Sequence, residues 1–137
     1  MNDAVTRYCA ASEANDIDAI VATLAPDAAL ASPLSGRVTF RGRDDLRILL
    51  SAVYSSTTGL RWSPQVGDGM TRVALGECRV AGVRLGDAMA FELNDDGLIR
   101  LIRPHLRPWL ATTVFALILG PKIARHPAVV RRALRPL

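Results

Sequence analysis

Hydrophobic positions in the first half of the chain recur at helical spacing and predict three short helices. The first follows a cap at Asn2 or Asp3 and turns Tyr8 inward. The second begins at Asp16 and ends before a proline. The third begins at residues 44–45, where two aspartates favour a helix start. Two short helices therefore meet at a tight corner ahead of a longer one.

From residue 60 onward the apolar period changes to two, which is the spacing of a sheet with two distinct faces. Together with two shorter apolar runs, this alternation predicts strands over residues 28–32, 38–40, 60–62, 70–80, 83–93 and 98–103. The turn residues at 94–97 join the last two strands into a hairpin. Helices followed by an antiparallel sheet predict an α+β domain.

One face of the predicted sheet carries a single carboxylate among apolar and small side chains. If the two long strands pair through their two-residue turn, this face carries Ala74, Gly76, Cys78, Leu85, Asp87, Met89 and Phe91. The small side chains leave a hollow, which we expect to be a ligand pocket. Burial in that pocket would raise the pKa of Asp87, as a general acid or base requires. Alternatively, Asp87 lies at the pocket mouth and is solvated.

The turn at 94–97 sets the register of the last hairpin. If Leu93 pairs with Leu98, Met89 lies opposite Ile102. Gly86 interrupts the longest strand, and we expect a bulge there.

The opposite face of the sheet is also apolar and needs a cover. It carries Val73, Leu75, Ala88, Ala90, Ile99 and Leu101. Either a second copy of the sheet or the C-terminal segment covers it. Arg103 and His105 alternate onto this face, unless Pro104 turns His105 toward the hollow.

A chain of 137 residues, half of them hydrophobic, suffices for one domain with a single core. The first residues lack the regions of a secretory signal, so we expect a cytoplasmic protein. Cys9 and Cys78 fall on a helix and a strand and are expected to remain free thiols. Because His105 and His126 have no partner ligands at metal-binding spacing, we predict neither a metal site nor a cofactor.

The net charge of +4 hides an asymmetry along the chain. Residues 1–96 carry 9 basic and 13 acidic side chains, whereas residues 97–137 carry 8 basic and no acidic ones. Since the basic residues are not interleaved with aromatic ones and the body is acidic, nucleic-acid binding is not predicted.

The last part of the chain is first apolar and then basic. Residues 109–119 are almost wholly apolar, and Gly120 and Pro121 are expected to end that helix. Eleven residues make a helix of about 16 Å, too short to span a membrane. We divide the chain into a domain over 1–108 and a helical extension over 109–137 that packs on it as a lid or dimer element. The alternative is an extension lying on an anionic membrane surface.

Several stretches carry a family resemblance: RYCAA at 7–11, NDIDAIV at 15–21, LAPDA at 24–28, GRDDL at 42–46 and FELNDDGLI at 91–99. Together, over residues 3–106, the chain resembles SnoaL-like and ketosteroid-isomerase-like proteins of the nuclear-transport-factor-2-like superfamily. The resemblance implies a cone in which N-terminal helices pack on a strongly curved antiparallel sheet around an apolar pocket. The C-terminal helical segment extends beyond the family's ordinary length.

The resemblance to ketosteroid isomerases implies a carboxylate base, a tyrosine and a neutral acid. Tyr8 matches the tyrosine, but the base falls at Ser32, which cannot abstract a carbon-bound proton unaided, and the acid falls at Met89, which cannot donate a hydrogen bond. Ketosteroid isomerisation is therefore not expected. SnoaL-like cyclases use an aspartate on a late strand as acid or base, and Asp87 is the carboxylate of this chain nearest to that position. The epoxide hydrolases of this fold use a linked Asp, Arg and Asp arrangement, which here would require Arg84 and Asp87 to share a face of the sheet.

We expect the pocket to take a small, mostly apolar, steroid- or polyketide-like molecule, with proton-transfer isomerisation, cyclisation or water addition as candidate reactions. Tyr8 and Asp87 are the candidate catalytic residues. The predicted pocket residues are Tyr8, Ser32, Trp62, Ala74, Cys78, Asp87, Met89, Phe91 and Ile102. Plain packing competes with these roles at Tyr8, Ser32 and Cys78. The alternative function is a noncatalytic ligand-binding or dimerisation module whose tail docks to a partner or a membrane.

Overall fold

The computed structural model describes residues 3–135, which form five helices and seven strands. The helices are α1 (Ala4–Glu13), α2 (Ile17–Ala22), α3 (Arg43–Ser55), α4 (Trp109–Ala124) and α5 (Pro127–Ala133). The strands are β1 (Leu24–Ala31), β2 (Thr39–Arg41), β3 (Thr58–Trp62), β4 (Thr71–Val80), β5 (Val83–Leu93), β6 (Ile99–Arg103) and β7 (Leu106–Arg107). The predicted α+β order is confirmed.

The strands form one sheet in the order β2-β1-β6-β5-β4-β3, with β7 added beside β5. Every pairing is antiparallel except that of β1 with β6, which is parallel. The sheet is therefore mixed, with one parallel pair in the otherwise antiparallel sheet that was expected. A parallel pair needs a long crossover, and the chain between β1 and β6 supplies one.

Side-chain caps fix the two short helices at the start. The Asp3 carboxylate accepts a hydrogen bond from the Thr6 amide at 2.9 Å, and Asp16 caps α2 by accepting from the Ala19 amide at 3.1 Å. Asn2, the other candidate cap, lies outside the described residues. The helices pack their apolar sides on the sheet, so that the largest fully buried side chains include Tyr8 and Phe91.

The long hairpin of β4 and β5 has the predicted register, with Val80 opposite Val83 and Thr71 opposite Glu92. The pairing runs without interruption, so the bulge expected at Gly86 is wrong. A Cβ on Gly86 would lie 3.3 Å from Cγ of Arg107. The glycine therefore serves the close approach of β7 rather than a bulge.

The register expected for the last hairpin is wrong by two residues. Phe91, and not Met89, lies opposite Ile102. A shift of two residues keeps each side chain on its face, so Ile102 still points to the core. A register irregularity after Glu92 sets Leu93 opposite Ile99. For this reason Ile99 is fully buried in the core instead of lying on the outer face.

The C-terminal helices pack on the concave side of the sheet. Phe115 of α4 packs with Leu85, and Val129 of α5 joins the main core. The expected helix end at Gly120 is wrong, because α4 runs on through Pro121. The carbonyl that Pro121 leaves unbonded belongs to Leu117, which is 71% exposed and can be solvated.

The outer face of the sheet, here meaning Val73, Leu75, Ala88, Ala90 and Leu101, is left uncovered by the described residues. Leu75 is 57% exposed at its centre. Within residues 3–135, the C-terminal segment thus covers the cavity side and not this face. None of the described helices is both long and apolar enough to cross a membrane.

Candidate active site

A cavity of about 220 Å³ lies between α3, α4 and the concave face of the sheet. Its walls are mainly apolar: Leu49 and Val53 come from α3, Phe115 and Leu119 from α4, and Met89 from β5. An engineered cavity of about 150 Å³ in another protein binds benzene, so this space suits a larger apolar molecule. The cavity has the lining of a small-molecule site.

Five of the predicted pocket residues line this cavity, namely Ser32, Trp62, Cys78, Asp87 and Met89. The other four, Tyr8, Ala74, Phe91 and Ile102, are fully buried behind its walls. The sheet alternation places both groups on the correct side, but it does not distinguish a wall residue from one packed beneath the wall. Ligand contact by the first five stays a prediction.

Asp87 is a half-buried carboxylate that lines the apolar cavity, where Glu77 is also a lining residue, and it also lines an adjoining open pocket beside β7. It stands on β5 between Gly76 of β4 and Leu106 of β7. Its Oδ1 accepts a hydrogen bond from the His105 amide at 3.2 Å. Desolvation raises the pKa of Asp87 from 3.8 to about 7, although the His105 amide and the nearby imidazole lower it in part. Such a carboxyl group can take up or release a proton near neutral pH.

Two buried tyrosines form a hydroxyl pair beside the cavity. Tyr54 of α3 lines the cavity, and its Oη lies 2.6 Å from Oη of Tyr8. The Tyr8 ring packs edge-on against Phe91, with centroids 5.3 Å apart. Burial raises the pKa of both phenols, so both remain protonated. The pair can therefore donate one hydrogen bond into the cavity through Tyr54.

Sequence reasoning missed Tyr54. The helical period contains the signal, because Leu46, Leu50 and Tyr54 recur at intervals of four and all face the core. Because this row of buried side chains on α3 ends in a tyrosine, it places a hydroxyl group at the wall of the cavity. Tyr8 reaches the cavity only through this partner.

Trp62 forms part of the wall above Gly76. A Cβ on Gly76 would lie 2.7 Å from two atoms of the Trp62 ring, so only glycine allows this stacking. The indole Nε1 donates to Oγ of Ser12 at 2.9 Å, which fixes the ring in place. Part of the hollow expected over the small residues of β4 is thus occupied by Trp62.

The remaining candidates have local partners. Arg103 forms an ion pair with Glu92 at 3.2 Å, and Nδ1 of His105 lies 3.0 Å from the Ala88 carbonyl oxygen. Neither side chain lines the cavity. Ser32 accepts from the amide of Leu34 at 3.1 Å.

Both cysteines are free thiols of intermediate burial. Desolvation, with a smaller contribution from Asp87, raises the pKa of Cys78 to about 11, so it is not an activated nucleophile. Among residues 3–135, no group of three or more His, Cys, Asp or Glu side chains is arranged to hold a metal ion.

Residues 5–102 match the SnoaL-like domain family, and the chain therefore belongs to that family. No curated protein sequence matches the chain significantly.

Solved structures show the same fold at low sequence identity. An uncharacterized protein conserved in bacteria with a cystatin-like fold, from Silicibacter pomeroyi, gives a TM-score of 0.88 at 21% identity over 97% of this chain and 95% of that one. A steroid delta-isomerase from Pseudomonas aeruginosa gives 0.80 at 20% identity over 91% and 92%. A putative polyketide cyclase from Sinorhizobium meliloti gives 0.64 at 21% identity over 77% and 95%.

These comparisons confirm the predicted cone fold for this chain, in which helices pack on a curved sheet. The first superposition covers 97% of the chain and so includes α4 and α5. The C-terminal helices therefore have counterparts in a solved structure, although the family match ends at residue 102.

Proposed function

We propose that this protein binds a small, mostly apolar molecule in the cavity and transfers a proton to or from it through Asp87. The observation that carries the proposal is the position of this half-buried carboxyl group on the wall of a mainly apolar cavity that Tyr54 also lines. Desolvation raises the pKa of Asp87 to about 7, where a single group serves as base and as acid.

The tyrosine pair supplies the second chemical element. If Tyr8 donates to Tyr54, the hydroxyl hydrogen of Tyr54 is free to bond a ligand oxygen. A donor aimed at a carbonyl oxygen stabilises the negative charge that develops when a neighbouring carbon loses a proton. Isomerisation and cyclisation use such a step, whereas in water addition the base takes its proton from the attacking water; Asp87 is the base or acid that each would require.

Two similar structures suggest which ligands to test. One is a steroid delta-isomerase and the other a putative polyketide cyclase, so steroids and polyketide-like phenols are the first candidates. Ketosteroid isomerisation itself is not proposed. In the sequence alignment that the resemblance implies, Ser32 and Met89 occupy the positions of its base and neutral acid.

The test is native mass spectrometry of the purified protein with a panel of these compounds, followed by hydrogen exchange into each bound compound in deuterated water. We expect one saturable ligand and protein-dependent exchange of a carbon-bound hydrogen. Asp87→Asn should abolish the exchange while the ligand still binds, and Tyr54→Phe should slow it. Asp96→Asn, which changes an exposed turn residue, is the control. Binding without exchange in the wild-type protein would favour the noncatalytic alternative, and an absence of binding would overturn the proposal.

We also propose that the outer face joins two copies of the chain. Leu75 is 57% exposed on this face, and the apolar residues Val73 and Ala88 lie beside it. Glu92, Arg100 and Arg103 on the same side carry charges of both signs, as a self-complementary interface requires. Light scattering should show a dimer that Leu75→Arg converts to a monomer, whereas a monomeric wild-type protein would exclude this interface. We place the protein in the cytoplasm, in keeping with its two free thiols.

A further inference from the structure

The helix α4 has two apolar sides, of which only one is covered. Phe115 and Ile123 on the inner side are buried and line the cavity. The outer side consists of Trp109, Leu110, Leu117, Gly120, Pro121 and Ala124, all exposed. At about 100° per residue these six fall within an arc of about 120°, which also contains the half-buried Thr113, whose hydroxyl donates to the Trp109 carbonyl at 2.9 Å. We call this arc the exposed α4 face.

A soluble surface seldom carries such a face. Trp109 is 80% exposed, Leu117 71% and Leu110 56%. Single exposed apolar residues are ordinary, but several of them on one side of a helix about 24 Å long mark an interaction surface. Tryptophan in particular favours the boundary between water and lipid, where its ring is apolar and its N–H remains hydrated.

Cationic side chains surround this face. Arg107 precedes α4 by two residues, Arg125 follows it directly, and Arg131 and Arg135 lie in or next to α5. All four are exposed, and within the described part of the chain none of them forms an ion pair. No acidic residue occurs after Asp96. An apolar stripe with a positive charge at each end is complementary to an anionic lipid surface.

The same charges oppose a second copy as the occupant. In a twofold pairing of the exposed α4 face, Arg107 of one copy approaches Arg125 of the other when the helices run antiparallel, and each arginine approaches its own counterpart when they run parallel. Like charges then meet at both ends of the contact. The outer sheet face has charges of both signs and lacks this obstacle.

We propose that the exposed α4 face docks the protein onto an anionic phospholipid membrane. Leu34 and Gly120 are exposed and also line the cavity, so the opening borders the docking surface. In the docked state, an apolar ligand passes between the bilayer and the cavity without crossing bulk water.

Vesicle sedimentation with the full chain tests the proposal. We expect binding to phosphatidylcholine vesicles that contain phosphatidylglycerol, little binding to phosphatidylcholine alone, and release by high salt. The double variant Trp109→Ser/Leu117→Ser should bind at least about tenfold more weakly. Arg107→Gln and Arg125→Gln should each weaken binding about fivefold. Val66→Ser/Met70→Ser, which removes two exposed apolar residues remote from α4 in the sequence, is the matched control and should bind like the wild-type protein.

A second measurement does not depend on how the α4 variant folds. In Trp62→Phe the remaining tryptophan is Trp109, and its emission should shift to shorter wavelength with anionic vesicles and be quenched by brominated lipid. Wild-type protein that stays in the supernatant with anionic vesicles, or a Trp109 emission that does not change, would overturn the proposal. Self-association that Trp109→Ser/Leu117→Ser abolishes, without vesicle binding, would assign the face to a second copy instead.

Discussion

The desolvated carboxyl group of Asp87 should make the stability of the protein depend on pH in a defined direction. In the folded protein desolvation raises the pKa from 3.8 to about 7, so the folded state retains a proton that the unfolded state has already released. The free energy of unfolding therefore contains a contribution that is fully present below about pH 4 and is lost as the pH rises to about 7. At about 1.36 kcal/mol for each pH unit, the full contribution is about 4 kcal/mol.

Asp87→Asn removes this titration while it keeps the shape of the side chain. Below about pH 4 the variant and the wild-type protein should be about equally stable, because both side chains are neutral. Above about pH 7 the variant should be more stable by up to about 4 kcal/mol, because only the wild-type protein then holds a desolvated charge. Other titrating groups are common to both proteins, so their effects cancel in the difference.

Urea unfolding followed by circular dichroism at several pH values measures this difference. Asp96→Asn removes an exposed carboxylate from the turn between β5 and β6 and is the matched control. A difference between Asp87→Asn and the wild-type protein that stays constant from about pH 4 to about pH 8 would refute the reasoning, since it would place Asp87 in water. The proposed proton transfer would then lose its physical basis.

Three further predictions concern the walls of the cavity and its C-terminal cover. Gly76→Ala puts a methyl group 2.7 Å from the Trp62 ring and should lower the free energy of unfolding in urea by about 1–3 kcal/mol. Gly36→Ala, at a site with open space around it, is the control and should leave stability unchanged. Equal stability of the two variants would contradict the stacking of Trp62 on Gly76. Tyr8→Phe and Tyr54→Phe should each lower the free energy of unfolding by about 1–2 kcal/mol, because either change leaves the other buried hydroxyl unpaired. The double variant should lose less than the sum of the two, since it leaves no hydroxyl unpaired. Additive effects would mean that the pair is not formed. Asp45→Ala removes two hydrogen bonds from Arg132, at 2.8 and 2.9 Å, and should speed amide hydrogen exchange in α5. Asp18→Ala, which breaks an exposed ion pair with Arg47, is the control. Unchanged exchange in Asp45→Ala would show that this contact does not hold α5 in place.

The face of the sheet on which each side chain lies could be predicted, because it depends only on whether the residue is at an odd or an even position along its strand. The two-residue error in the register of the last hairpin left Ile102 on the core side, since every second residue points the same way. The irregularity after Glu92 broke that parity, and Ile99 was assigned to the wrong face. Local irregularities of this kind arise from tertiary packing, which the alternation of side chains does not encode.

The candidate site could be predicted only in part, for a different physical reason. Asp87 stands out because a carboxylate on an apolar face needs an explanation, and its position in the cavity follows from the strand pattern. Tyr54 does not stand out, because a tyrosine in a helical stripe is ordinary core composition. Its role depends on a hydroxyl contact with Tyr8, 46 residues earlier, and no local pattern reports a contact over that separation.

The helix α4 shows where the spacing of hydrophobic residues stops predicting which side of a helix is buried. A helix that is apolar on all sides gives no hydrophobic direction, so its sequence alone could not say which side meets the protein. The structure buries Phe115 against the cavity and leaves Trp109 and Leu117 exposed. Large apolar side chains exposed along one side of a helix indicate a surface that meets another apolar partner. Because the charges at both ends of the exposed α4 face are positive, an anionic bilayer suits this face better than a second copy, and docking brings the opening of the cavity to the place where apolar ligands concentrate.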